Sequence, residues 1–134
     1  GFDGPFDERN QRRYLDMLRH YVDLFLVQDP EMGQFMPEAR ILPRGLQLEQ
    51  WPCVGVQPNP RPLVVHAPSN AEVKGSRFVI RALETLRHAG LDFEFKLLER
   101  VPHAEAREWY KRADIIVDQI LIGATGVLTL EAWA

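Results

Sequence analysis

From Leu63 onward one pattern occurs three times: a short apolar run, a loop, then an amphipathic stretch. Leu63-Val-Val-His66 precedes Ser76 to Ala89, where Phe78, Val79, Ala82, Leu83 and Leu86 fall on one helical face and Gly90 stands where a helix cap belongs. Phe93, Phe95 and Leu97 alternate with Glu94 and Lys96, the mark of a strand exposed on one face at a sheet edge. The Pro102 to Arg112 helix follows, with Ala106, Trp109, Tyr110 and Ala113 at spacings of three and four. Asp114-Ile-Ile-Val-Asp118 is the third strand, and after Gln119, Gly123 and Gly126 a helix takes in Leu130-Glu131-Ala132. Strand and helix in regular alternation require right-handed crossovers and a parallel sheet, so the expected class is α/β, Rossmann-like, with flanking helices.

The edge character of Phe93 to Leu98 puts Leu63 to His66 in the centre and Asp114 to Asp118 on its other side. The topological switch then falls between the two strands whose loops carry glycine and polar residues, and open α/β sheets bind ligands at such a point. The loop after His66 runs through Ser69 and Asn70 to Lys74-Gly75, while the other leads through Gly123 to a helix start at Gly126. Free backbone N–H groups at Gly126 and Val127 favour an anion. Lys74 supplies a point cation, and Glu131, about one and a half turns into that helix, suits hydroxyls better than phosphate. Asp118 closes its strand at the carboxyl end and is a site candidate, whereas Asp114, on the same face, suits capping or solvation. His66 fits either a ligand contact or a satisfied core histidine.

Composition narrows the classes. The chain has 134 residues, 46% of them hydrophobic, enough for a core, and a net charge of −3 with mixed signs, so no basic footprint points to nucleic acid. One cysteine, Cys53, excludes a disulfide framework and fits a reducing, cytoplasmic setting. No run approaches the length of a transmembrane helix, and peripheral membrane contact stays open. His20, His66, His88 and His103 are too scattered for a metal site, Asp-x-Asp is absent, and nothing resembles an activated Ser or Cys nucleophile. Trp51, Trp109 and Trp133 read as packing residues. The Gly-Phe-Asp-Gly-Pro start and the uncapped end at Ala134 suggest a fragment at both ends.

Before Leu63 the order is less regular. Glu8 to Tyr21 reads as a helix with Leu15, Leu18 and Val22 on one face, Leu24 to Val27 as a buried strand, Pro30 to Met36 as a short helix stopped by Pro37, and Arg40 to Gly45 as an extended piece. Pro52, Pro58, Pro60 and Pro62 make a stiff connector, so residues 1–51 and 63–134 are expected to be separate domains joined by a linker at 52–62.

His66-Ala-Pro-Ser-Asn70, Lys74-Gly75, Ala82-Leu-Glu-Thr-Leu86, Glu108-Trp-Tyr110, Ala113-Asp-Ile-Ile-Val-Asp-Gln119, Gly123-Ala-Thr-Gly126 and Leu130-Glu-Ala132 form a combined pattern. It resembles the nucleotide-sugar half of retaining GT-B glycosyltransferases of the group 1 type, over about Leu63 to Ala134; Asp23 to Trp51 more loosely resembles the end of the acceptor domain. The resemblance implies a two-domain GT-B architecture and transfer of a sugar from a nucleoside diphosphate sugar donor to a carbohydrate or other hydroxyl acceptor, with no metal or further cofactor. By position, Lys74 matches the lysine that neutralises donor phosphate. Glu131 matches the second glutamate of the family's Glu-seven residues-Glu motif, on the ribose, and Gly126 and Val127 match the diphosphate-binding amides.

Three departures accompany the match. Gly123 stands in the place of the motif's first glutamate, which holds the transferred sugar. The arginine that precedes the lysine is replaced by Ser69 or Asn70, and one strand-helix unit is missing between Leu98 and the Pro102 helix. They keep a second expectation open, a nucleotide- or phosphate-binding α/β module, or an incomplete inactive fragment, without transferase activity.

Overall fold

A computed structural model describes residues 8–55 and 58–134; residues 1–7 of the expected first domain and residues 56 and 57 of the expected linker lie outside the described residues. The chain divides into two compact units, Gly1–Pro43 and Arg44–Ala134. The second unit therefore takes in residues 44–51, where Trp51 lies under the Arg107 guanidinium at 4.1 Å and against His103 at 5.8 Å between ring centroids.

In the first unit helix α1 spans Glu8–Leu18, and two parallel strands, β1 (Leu26–Val27) and β2 (Arg40–Ile41), flank a 3₁₀ turn at Pro30–Gln34. The extended piece before Pro30 was expected to be buried. Its ladder is only two residues long and one-sided, so Val27 is buried while Leu24 and Leu26 are exposed.

The second unit is a three-stranded parallel sheet of order β4-β3-β5, with β3 at Leu63–His66, β4 at Glu94–Leu97 and β5 at Ile115–Val117. This is the order that the edge pattern of β4 predicts. All four residues of β3 are buried, because the strand has a neighbour on each side and a helix on each face. Alternation splits its side chains. Leu63 and Val65 pack with Leu98 and Ala106 under helix α4 (His103–Tyr110), while Val64 packs with Val79, Leu83 and Phe93 under helix α3 (Ser76–His88).

Helix α3 ends in a Schellman motif. Gly90, at φ 88°, allows its own N–H to reach Arg87 O (3.0 Å) and Leu91 N–H to reach Leu86 O (3.1 Å). Its buried stripe is narrower than the spacing suggested: Val79 and Leu83 are buried, but Phe78, Ala82 and Leu86 are exposed. A sheet three strands wide covers only the middle of the helix. The same narrowness leaves Ile115, on β5, and Ile120, Leu121 and Ile122, just after it, exposed, and Trp133 is exposed rather than packed. Among the described residues, no helix is long and apolar enough to cross a membrane.

Candidate functional site

The loops that leave the carboxyl ends of β3, β4 and β5 all open toward one end of the sheet, as parallel strands require. After β3, Asn70 caps a four-residue helix α2 (Ala71–Lys74), its Oδ1 accepting from Glu72 N and Val73 N at 3.1 Å each. Lys74 is the last residue of that turn, and Gly75, at φ 77°, turns the chain into α3. A side chain on Gly75 would be strained by that φ and would also meet Leu121 Cγ at 2.9 Å. Ile120 N donates to Lys74 O at 3.1 Å, so the segment after β5 is stitched to α2.

Lys74 and Gly126 converge, and what they converge on is Asp118. Lys74 Nζ donates to Asp118 Oδ1 at 2.5 Å; Gly126 N and Thr129 Oγ1 donate to Oδ2 at 2.8 and 2.7 Å. The side chains of the Lys74–Asp118 pair are only 13% and 10% exposed. Gly126 is glycine for a steric reason, since a Cβ there would collide with the Asp118 carboxylate. Burial alone would raise the Asp118 carboxyl. The hydrogen bonds from Lys74 and Thr129, the charge of Lys74 and the Gly126 N–H outweigh it and hold the group below its ordinary range.

A cavity of about 520 Å³ lies beside this cluster, lined by Lys74, Ser69, Gly126, Val127 and Glu131 among the expected residues, and by His103, Tyr110 and Arg44 besides. Glu131 begins the second turn of helix α5 (Val127–Trp133); its side chain is 8% exposed and its Oε1 lies 3.0 Å from His103 Nε2. Burial, then the charges of Glu131 and Asp118, push the Tyr110 phenol up to about 12, so it remains a hydrogen-bond donor at neutral pH. Ala67, Ser69, His103 and Tyr110 also line a larger cavity of about 850 Å³ between the loops after β3 and β4. Asn70 belongs to that second cavity, and its capping role uses its carbonyl oxygen. Arg100, at φ 56°, is a left-handed non-glycine residue on the wall of the same cavity.

Asp118 and Gly123 line a third cavity, about 350 Å³, with Gln119, Thr125 and Thr129. Gly123 is exposed, with nothing within 4 Å of the place a Cβ would take. His66 is a satisfied core residue: Nδ1–H donates to Val117 O at 2.7 Å and Nε2 accepts from the Ser76 hydroxyl at 2.8 Å. Asp114 holds the opposite end of the sheet, its Oδ2 accepting from Leu63 N (2.7 Å) and Asn59 Nδ2 (2.8 Å).

His103, Tyr110 and Arg44 line the site although spacing did not single them out. His103, the first residue of α4, follows from the strand-end rule applied to β4, because the loop after an edge strand opens to the same end as the others; Tyr110 closes that helix and the rule does not place it. Together the walls of the smaller cavity offer a cation, a hydroxyl donor, an imidazole and a shielded carboxylate, a set that suits a ligand with both charge and hydroxyls. Comparison with known proteins finds no matching family model, no matching curated protein and no matching solved structure.

Proposed function

We propose that this chain holds the nucleoside diphosphate of a sugar donor at the carboxyl ends of β3 and β5, as part of a glycosyltransferase of GT-B architecture acting on an acceptor hydroxyl. The observation that carries the reading is that Lys74, Gly126, Val127 and Glu131, drawn from two segments far apart in sequence, line one cavity beside the switch point of a parallel sheet. In this reading Lys74 meets phosphate charge and Glu131 accepts from the ribose hydroxyls, with Tyr110 and His103 on the same wall. The adjoining 850 Å³ cavity gives the rest of the donor room.

A second reading, a nucleotide- or phosphate-binding module without transferase activity, is favoured by one observation: at the position of the motif's first glutamate stands Gly123, exposed and with no side chain to hold a transferred sugar. Calorimetry with ADP, GDP and UDP, followed by transfer assays with the sugar conjugate of whichever binds, separates the two. Glu131→Ala is expected to weaken binding by about 1.5 to 3 kcal/mol and Glu131→Gln by less, since the amide keeps an acceptor. Absence of binding by all three nucleotides and by inorganic pyrophosphate would remove both readings.

A further inference from the structure

Asp118 belongs to the site, yet its geometry is that of a competitor rather than of a ligand-holding group. A carboxylate cannot donate to phosphate, and this one takes a hydrogen bond from Lys74 Nζ and another from Gly126 N, two donors that a phosphate would need. The pair is nearly shut off from solvent, so Lys74 presents little net positive charge to the 520 Å³ cavity. Gly126 admits the carboxylate only because it lacks a Cβ. Asp118 also lines the 350 Å³ cavity, with Gln119, Thr125 and Thr129 in its wall.

We propose that Asp118 is a resident anion that pairs with Lys74, and that a phosphate group binds by displacing it from Lys74 and Gly126. The inference rests on the proposed diphosphate site and adds a residue that sets its affinity and selectivity: weakly charged or monoanionic ligands fail to displace the carboxylate, whereas a diphosphate succeeds. The pairing also spares the shielded Lys74 cation the cost of an isolated ammonium.

The test is calorimetric titration of the intact chain with inorganic pyrophosphate, which removes the unknown base and sugar from the question. Asp118→Asn should bind pyrophosphate about tenfold more tightly than wild type, because the amide keeps the shape and gives up the competing charge. Thr129→Val, which removes one of the donors that hold Asp118, should give a smaller gain in the same direction. Lys74→Met should weaken binding and should cancel the gain when combined with Asp118→Asn. Equal or weaker binding by Asp118→Asn, with Lys74→Met still damaging, would overturn the displacement proposal while leaving the diphosphate site standing. Unchanged binding by Lys74→Met in both backgrounds would instead remove the diphosphate site itself. Circular dichroism checks each variant's fold. Should Asp118→Asn fail it, Thr129→Val decides, and equal or weaker affinity in that variant overturns the proposal.

Discussion

Asp114 and Asp118 stand at the two ends of β5, on the same face of the same strand, and the molecule uses them in opposite ways. Asp114 accepts from neutral donors, Leu63 N and Asn59 Nδ2, and ties the segment entering the sheet to the start of β3. Asp118 takes a cation, an amide and a hydroxyl, little exposed, at the carboxyl end of β5. One residue type thus acts as a neutral clamp and as half of a buried ion pair four residues later. The difference lies in what the parallel sheet delivers to each end: strand starts and the connector at one, helix-bearing loops at the other.

The largest effect expected from that contrast is on stability. Lys74→Met leaves the Asp118 carboxylate shielded and without its cation, and should cost about 3 kcal/mol in urea denaturation, as for a broken buried pair. A loss no larger than that of Asp114→Ala would show that the two ends do not differ in kind.

Acid titration sharpens the same point. Asp118 has a folded-state pKa below its unfolded value, so its contribution is fully present above the unfolded carboxylate pKa near about 3.9 and is lost as pH falls from there through the folded value. Wild type should therefore lose stability on acidification below roughly pH 4, and Asp118→Asn should lose less over the same range. Parallel acid curves for the two proteins would place the stabilising carboxylate elsewhere.

Asp114→Ala should show the smallest change. It leaves Leu63 N and Asn59 without that acceptor and is expected to cost about 1 kcal/mol in urea denaturation.

Much of this arrangement was legible from residue types. The alternation in Phe93 to Leu97 marked an edge strand, which placed Leu63 to His66 in the centre and predicted the order β4-β3-β5. The loops bearing Lys74 and Gly126 were legible as neighbours for the same reason. Pairing within the site was not. Spacing shows that Asp118 ends a strand, but not that its carboxylate enters the gap between Lys74 and Gly126, because that depends on a glycine eight residues later lying within contact of it. Periodicity also made α3 wider than its real seat, since Phe78, Ala82 and Leu86 fall on the apolar stripe while the three-stranded sheet reaches only Val79 and Leu83. His66 was open to two readings until its partners, Val117 O and Ser76 Oγ, were in view.

In the proposed function the carboxyl ends of β3 and β5 bind a nucleoside diphosphate through Lys74, while the other end of the sheet only holds the fold. Titration calorimetry with the best-binding nucleoside diphosphate on wild type, Lys74→Ala and Asp114→Ala tests it directly. A loss of about 1.5 to 3 kcal/mol is expected for Lys74→Ala, as for a lost hydrogen bond to a charged group, and wild-type affinity for Asp114→Ala. Equal affinity for wild type and folded Lys74→Ala would contradict the donor site, and with it the glycosyltransferase reading.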